Sequence, residues 1–220
     1  MAFLPRDVEN DPRAAAELAD LGFRAVPVVV LPGRPPLAGF SDRDLAAAIS
    51  ATDHAAPPDL AIAVRNLDLL LEAVQRAARQ LTNADLDIAT PQRGRDMREL
   101  IHDVFFKAMH FAPETGSPTR AAGQRDAAAR CTDLESLVRY ADDARTAAHR
   151  RFTSGVASGD TVLETADGGM SAATAAVWLG DHTAHHLCQI YWLMGRHGIT
   201  PRDRLDPDRL PGLFLQDALW

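Results

Sequence analysis

The segment from His182 to Ile190, HTAHHLCQI, has histidines at a spacing that suits a bound metal. On a helix, His182 and His186 share one face with an apolar line. That line is formed by Leu179, Ile190 and Leu193. Buried imidazoles need polar partners, and a divalent metal satisfies two imidazoles four residues apart. His185 falls on another face, so His182 and His186 are the predicted ligands.

The stretch from Met97 to Met109 supplies a third histidine. Its apolar residues recur at helical spacing, and His102 lies at the edge of that stripe. A site of three histidines on two helices would leave coordination positions open for water or substrate, as a catalytic metal requires. Asp103 and Asp181 adjoin predicted ligands and are expected to point elsewhere, with Asp103 in solvent.

Three neutral imidazoles suit Zn²⁺, Ni²⁺ or Fe²⁺, and this ligand set does not choose among them. Such a metal can lower the pKa of a bound water or thiol, which makes hydroxide or thiolate available at neutral pH. Hydrolysis is the weaker of these two uses, because no inward Glu or Asp is expected near the ligands to act as a base. A bundle with three core histidines and no metal is the alternative structural interpretation. Cys188 is expected to be a small packed residue.

Composition narrows the class of protein. With 220 residues and 46% hydrophobic content the chain can bury a full core. Its net charge of −7 and the lack of a basic block argue against nucleic-acid binding. The apolar run from Val26 to Leu31 is too short to span a bilayer, and the N-terminus does not have the pattern of a secretory signal. We therefore expect a cytoplasmic protein that acts on a small molecule, with no membrane and no nucleic acid as partner.

From residue 57 onward the apolar periodicity predicts four amphipathic helices and hence a four-helix bundle. The expected helices begin near Asp59, Arg95, Leu134 and Ser171 and end near Leu81, Phe111, Phe152 and Gly198. The segment from Ser154 to Met170 is predicted to be a loop. The apolar tail from Gly212 to Trp220 is expected to dock on the body of the protein.

Residues 1–50 have a different pattern. Asp11 to Gly22 has an Asp cap, a Pro at its start and a Gly at its end, which predict a helix. Val26 to Leu31 and Pro35 to Phe40 flank turn residues and predict a hairpin. Phe3 to Val8 is the predicted first strand, and Ser41 to Ile49 is the predicted second helix.

Three short motifs resemble those of the DinB/YfiT-like four-helix bundle superfamily. They are LIH at Leu100 to His102, HTAHHLCQ at His182 to Gln189 and HGITP at His197 to Pro201. The resemblance covers about residues 57–201 and implies His102, His182 and His186 as metal ligands. It also implies metal-assisted transfer of a low-molecular-weight thiol, or a thiol-dependent isomerisation. Gln189 matches a family position and is the candidate catalytic residue, whereas Leu187-Cys188 replaces the usual Arg-Gly.

The first 45 or so residues resemble the C-terminal two-thirds of a glutaredoxin, of the thioredoxin fold. The resemblance implies that Val26, Pro27, Ser41 and Asp42 hold a small thiol. The CxxC motif is absent, so this unit cannot carry out thiol–disulfide exchange. The first strand of that fold, which lies centrally in its sheet, is also absent, and its loss would leave an exposed edge. We expect the bundle or a second copy of the chain to cover that edge, so a homodimer is one expected outcome.

These observations predict an α+β protein with four parts. They are a truncated glutaredoxin-like unit at 1–50, a linker at 51–58, an up-down-type DinB-like bundle at 59–200 and a tail at 201–220. The predicted function is metal-dependent activation of a low-molecular-weight thiol for S-transfer to, or isomerisation of, a small electrophile. The alternative is a non-catalytic metal- or thiol-binding protein whose N-terminal unit mediates partner docking or dimerisation.

Overall fold

A computed structural model describes residues 4–8, 10–23, 26, 28–38, 59–90, 94–110, 127–154, 156, 158–165, 168–211 and 213. The chain divides into two compact units, Met1–Ala56 and Pro57–Trp220. The predicted helix from Ser41 to Ile49 lies outside the described residues.

The first unit contains one helix and one hairpin among its described residues. Helix α1, Pro12–Asp20, begins where the Asp11 side chain accepts a hydrogen bond from the Arg13 amide, and Pro12 occupies the first turn. Strands β1, Val28–Val29, and β2, Leu37–Ala38, pair antiparallel. The predicted helix and hairpin are thus confirmed.

The predicted first strand is wrong over its described part. Residues 4–8 form no strand, because a turn occupies the approach to α1. The Asp7 carboxylate accepts hydrogen bonds from the backbone amide and the side-chain amide of Asn10, and the Asp7 carbonyl accepts one from the Asp11 amide. Side chains of Asp favour such local bonds over a strand ladder. The described residues therefore do not show a thioredoxin-like sheet.

The second unit contains the four predicted helices. They are α2, Leu60–Ala78, α3, Met97–His110, α4, Leu134–Thr153, and α5, Ala172–Arg196. Asp59 and Ser171 cap α2 and α5 by accepting backbone amide hydrogen bonds, and Asp133 forms a reciprocal capping box with Ser136 at the start of α4. A short 3-10 helix, Ala84–Asp87, lies between α2 and α3.

The helices do not pack in a simple up-down order. Helix α2 packs mainly against α5 and α4, and α3 packs mainly against the same two helices. The consecutive helices α2 and α3 therefore lie largely opposite each other, whereas an up-down bundle makes them neighbours. The long connection that contains the 3-10 helix, which contacts α3, provides the length to cross the bundle.

The core between the four helices is mostly apolar. Its largest fully buried side chains are Leu70, Leu71, Leu86, Met97, Ile101, Phe105, Leu137, Leu179, Leu187, Ile190 and Met194. Burial of side chains of this kind contributes roughly 1.5–3 kcal/mol each to folding. No helix in the described part of the chain is both long enough and apolar enough to cross a membrane.

A hairpin stands where a loop was predicted before α5. Strands β3, Val162–Thr165, and β4, Gly168–Ser171, pair antiparallel, with Val162 opposite Ser171. Val, Leu and Thr in β3 favour a strand, a signal that the neighbouring glycines obscured. Because Ser171 ends β4 and caps α5, the hairpin fixes where α5 begins.

Of the apolar tail that was predicted to dock, from Gly212 to Trp220, the structure describes Leu213 alone. The Asn66 side-chain amide donates a hydrogen bond of 2.8 Å to the Pro211 carbonyl, and Leu213 packs against the core near Gly180.

Candidate metal centre

Helix α5 presents its histidines as the sequence predicted. Leu179, Ile190 and Leu193 are buried, which sets the inward face of the helix. His186 is buried on that face, and the His182 side chain is 13% exposed. His185 is exposed. The prediction that His182 and His186 lie on the inward face of α5, and His185 on another face, is therefore confirmed.

The residue of α3 that meets this pair is Asp103. Its Oδ2 atom lies 3.2 Å from His186 Nε2 and 3.6 Å from His182 Nε2. One potential donor atom from each of the three residues lies within 4.8 Å of the other two. Asp103 is 1% exposed, so the expectation that it points into solvent is wrong. Among the described residues, this is the group whose geometry could hold a metal ion.

His102, the third ligand predicted from sequence, is not in that group. Its ring stacks on Tyr140 of α4 at a centroid distance of 4.6 Å and an interplanar angle of 11°. Successive residues on a helix point about 100° apart. Helix α3 packs against α4 and α5 and buries both residues, so His102 faces α4 while Asp103 faces α5.

Two observations indicate that these three donors fit a divalent metal. Donors at tetrahedral positions around an ion at about 2.0–2.2 Å lie roughly 3.3–3.6 Å from one another. The contacts of Asp103 Oδ2 with His186 and His182, at 3.2 and 3.6 Å, lie close to that range. In addition, His182 Nε2 is buried and has no hydrogen-bond partner. A buried polar atom of this kind calls for a ligand, water or ion.

Gln189 fixes which nitrogen of His186 faces Asp103. The Gln189 carbonyl oxygen, Oε1, can only accept, so His186 Nδ1 donates to it at 2.9 Å. The Gln189 amide nitrogen lies 2.8 Å from His185 Nε2, to which it donates. A neutral His186 then directs the lone pair of Nε2 toward a carboxylate oxygen. That arrangement needs a positive charge between the two atoms, either a proton or a metal.

Electrostatics shift the pKa values of Asp103 and His182 in the directions that metal binding requires. Burial alone would raise the pKa of Asp103, but the His186 hydrogen bond and the charges of Lys107 and the two histidines hold it well below its usual range. Burial, together with the charges of His186 and Lys107, lowers the pKa of His182 well below 6.5. Metal ligands must be an ionised carboxylate and neutral imidazoles, and these shifts favour the ionised form of Asp103 and the neutral form of His182.

Two cations also contact Asp103. Arg95 Nη1 lies 3.3 Å from Oδ2, and Lys107 Nζ lies 3.9 Å from Oδ1. The Lys107 ammonium is also 5.8 Å from the ring centroid of Trp178, whose ring stacks on His182. Sequence reasoning missed these residues. The available signal was an Asp and a Lys, one turn apart, on either side of the apolar stretch Val104-Phe105-Phe106.

The thiols of the chain are packed side chains. Cys188 is buried, and burial raises its pKa to about 11. Burial also raises the pKa of Cys131. Neither side chain has the exposure or the lowered pKa of a nucleophilic cysteine. A thiol that takes part in chemistry at the centre would therefore be a separate small molecule.

The structure describes little of the predicted thiol-holding residues of the first unit. Val26 is 45% exposed. Pro27, Ser41 and Asp42 lie outside the described residues. No protein-family model matches the chain, and no curated protein matches it.

Proposed function

We propose that the bundle binds one divalent transition-metal ion through Asp103, His182 and His186 and uses it in catalysis. The observation that carries this proposal is the convergence of the three donors between α3 and α5, with His182 Nε2 buried and without a hydrogen-bond partner. Two imidazoles and one carboxylate suit Zn²⁺, Fe²⁺ or Ni²⁺. Three protein donors leave coordination positions for a substrate, as in catalytic sites.

The proposed reaction is activation of a low-molecular-weight thiol for S-transfer to, or isomerisation of, a small electrophile. A divalent ion at these donors would lower the pKa of a coordinated thiol and make thiolate available at neutral pH. The residues of the chain would do the rest: Gln189 holds the His186 ring, and Trp178 and Lys107 enclose the His182 side. The buried Cys131 and Cys188 agree with an external thiol, and the likeness of the motifs to DinB/YfiT-like proteins motivates the thiol chemistry.

Burial of the donors favours a second candidate, a non-catalytic metal-binding protein. The Asp103 carboxylate is almost fully buried, and the two imidazoles are largely so. Structural metal sites are closed to solvent in this way. This candidate predicts the same metal content and no consumption of thiol.

Metal analysis tests the site. After incubation with Zn²⁺ and desalting, the wild type is expected to retain about one ion per chain, and His186→Ala to retain none. His149→Ala changes an exposed histidine of α4 and is the matched control. Equal metal content in wild type and His186→Ala would refute the site.

A thiol-consumption assay tests the reaction. The metal-loaded protein is incubated with a small electrophile and, in turn, glutathione, mycothiol and bacillithiol. At least one thiol is expected to be consumed by the wild type, and Asp103→Asn to be inactive. A protein that binds one metal ion and consumes none of the three supports the non-catalytic candidate.

A further inference from the structure

Arg95 contacts the oxygen of Asp103 that faces the histidines. Its Nη1 atom donates a hydrogen bond of 3.3 Å to Asp103 Oδ2. The same oxygen lies 3.2 Å from His186 Nε2 and 3.6 Å from His182 Nε2, so it is the oxygen that would bind a metal at this centre. Lys107, in contrast, contacts the other oxygen, Oδ1. Arg95 and a metal ion would therefore meet at one carboxylate oxygen.

The backbone of Arg95 is anchored, whereas its side chain reaches solvent. The Arg95 carbonyl accepts hydrogen bonds from both the amide and the hydroxyl of Thr90, at 2.8 and 3.1 Å. The Arg95 side chain is 27% exposed, whereas the three donor side chains of the centre are at most 13% exposed. Arg95 is therefore on the solvent side of the centre, and its long side chain can leave Asp103 for solvent without a change in the backbone.

The contact is too long to hold the Asp103 carboxylate firmly. Strong guanidinium–carboxylate pairs have bonds of about 2.7–2.9 Å and are often formed by two nitrogens at once. Arg145 makes such a pair with Asp68, at 2.7 and 2.8 Å. Arg95 instead approaches Asp103 through Nη1 at 3.3 Å. Its main effect on the centre is therefore that of its charge, and its effect on the orientation of the carboxylate is small.

We infer that Arg95 is an inhibitory cation, which stabilises the empty centre and lowers the affinity of the centre for metal. This inference rests on the proposed metal site and adds a residue that regulates its occupancy. In the metal-free protein the guanidinium stabilises the buried Asp103 carboxylate. A divalent ion bound to the same oxygen is repelled by the guanidinium at short range. The direction of this effect is the same whatever other groups contact Asp103. Metal entry then drives the Arg95 side chain toward solvent.

The zinc affinity of Arg95→Met tests the inference. This change keeps an apolar stem and removes the charge. Competition with a chromophoric chelator is expected to show roughly tenfold tighter zinc binding than in wild type, with the metal content still at about one ion per chain. Arg139→Met, at an exposed cation of α4 paired with Glu135, is the matched control and should bind zinc as the wild type does. Equal or weaker zinc binding in Arg95→Met would overturn the inference.

A second variant and a second measurement separate the charge of Arg95 from its hydrogen bond. Arg95→Gln keeps an N–H donor without the charge and is also expected to bind zinc more tightly than wild type. With a chelator present, both variants should unfold at a lower urea concentration than wild type, because the buried carboxylate has lost a cation. Saturating zinc should narrow this difference, because tighter binding adds more stability. Wild-type zinc affinity in Arg95→Gln would overturn the role of the charge.

The outcomes distinguish this inference from the proposed function. Wild-type protein that binds no zinc would refute the metal site itself. Zinc bound with the same affinity by wild type, Arg95→Met and Arg95→Gln would retain the site and overturn the inhibitory role of Arg95.

Discussion

Two polar networks join the helices of the bundle, and they differ in the lengths of their contacts and in their burial. Between α2 and α4, Arg145 donates two hydrogen bonds to Asp68, of 2.7 and 2.8 Å, and a third to the buried Gln75 at 3.1 Å. Between α3 and α5, the contacts of Asp103 with its histidine and cation partners range from 3.2 to 3.9 Å. The first network is half-exposed, and the second is buried.

The difference indicates which network serves the fold and which serves a ligand. Short paired bonds such as those of Arg145 satisfy both partners and hold two helices together. The Asp103 network buries a charge, contacts the two histidines at 3.2 and 3.6 Å, and leaves His182 Nε2 without a hydrogen-bond partner. Buried polar groups are normally satisfied, so a buried histidine nitrogen without a partner beside a buried carboxylate is a sign of a binding site.

The largest effect is expected from Asp103→Asn in metal-free protein. The change removes the buried carboxylate charge that Lys107 and Arg95 contact. Removal of one member of a buried ion pair costs about 3–5 kcal/mol. Urea denaturation with a chelator present should show a loss of that size in the free energy of unfolding.

Asp87→Asn is the matched control for that experiment. Asp87 pairs with Arg98 at 2.8 Å, but its side chain is 73% exposed. Exposed pairs contribute about 0–1 kcal/mol. If Asp103→Asn and Asp87→Asn lose the same small amount of unfolding free energy, Asp103 is not a member of a buried ion pair.

The next effect concerns Gln189, which holds the His186 ring. Gln189→Ala removes the acceptor of His186 Nδ1, so the ring can rotate away from Asp103. Loss of such a partner typically weakens metal binding about 10–100-fold. Competitive zinc titration measures this, and Gln189→Glu, which keeps an acceptor oxygen, should restore most of the affinity.

His185→Ala is the control for Gln189. His185 is exposed and accepts a hydrogen bond from the amide end of Gln189, the end that does not contact His186. Zinc affinity should therefore change little. An equal loss of zinc affinity in His185→Ala and Gln189→Ala would contradict the role of Gln189 Oε1 as the hydrogen-bond acceptor that orients His186.

A smaller, pH-dependent effect is expected from Asp68→Asn in the other network. The hydrogen bond from Arg145 lowers the pKa of Asp68, against the opposing effect of partial burial. A carboxyl whose folded pKa is lowered adds stability that is fully present above its unfolded pKa of about 3.9 and is lost as the pH falls through its lower folded pKa. Since Asp68 is 39% exposed, the loss at pH 7 should be only about 1 kcal/mol, and it should be smaller at pH 3.

Unfolding curves of Asp68→Asn at pH 7 and pH 3 measure this dependence. Asp143→Asn, at an exposed position of α4, controls for removal of a charge from the bundle surface. A loss in Asp68→Asn that is the same at both pH values would rule out the ionised pair as its cause.

Helix positions and the phase of α5 could be predicted from the sequence, because caps and apolar periodicity are local signals. Asp59, Asp133 and Ser171 begin their helices as side-chain caps. The third member of the site could not be predicted in the same way. Periodicity gives one inward direction for a helix, but α3 packs against both α4 and α5. Which of His102 and Asp103 faces α5 depends on the packing order of the helices, which is a tertiary property.

The hairpin before α5 and the turn at Asp7 are two further elements that the sequence did not predict. Four-residue strands carry too little pattern to be told from a glycine-rich loop. At Asp7, side-chain bonds to Asn10 replace the strand that the neighbouring Phe and Val residues favour.

The smallest effect is expected from His102→Phe, and it decides between the two neighbours on α3. The His102 ring lies against Tyr140, and its Nδ1 atom is buried without a hydrogen-bond partner. Burial lowers its pKa to about 4, so the ring is neutral at pH 7 and its replacement removes no charge there. A phenyl ring can keep the stacking and removes a buried polar atom, so stability at pH 7 should stay within about 1 kcal/mol of the wild type. Zinc content should remain at about one ion per chain. Loss of zinc in this variant, with Asp103→Asn still binding it, would restore the three-histidine site that the sequence motifs imply.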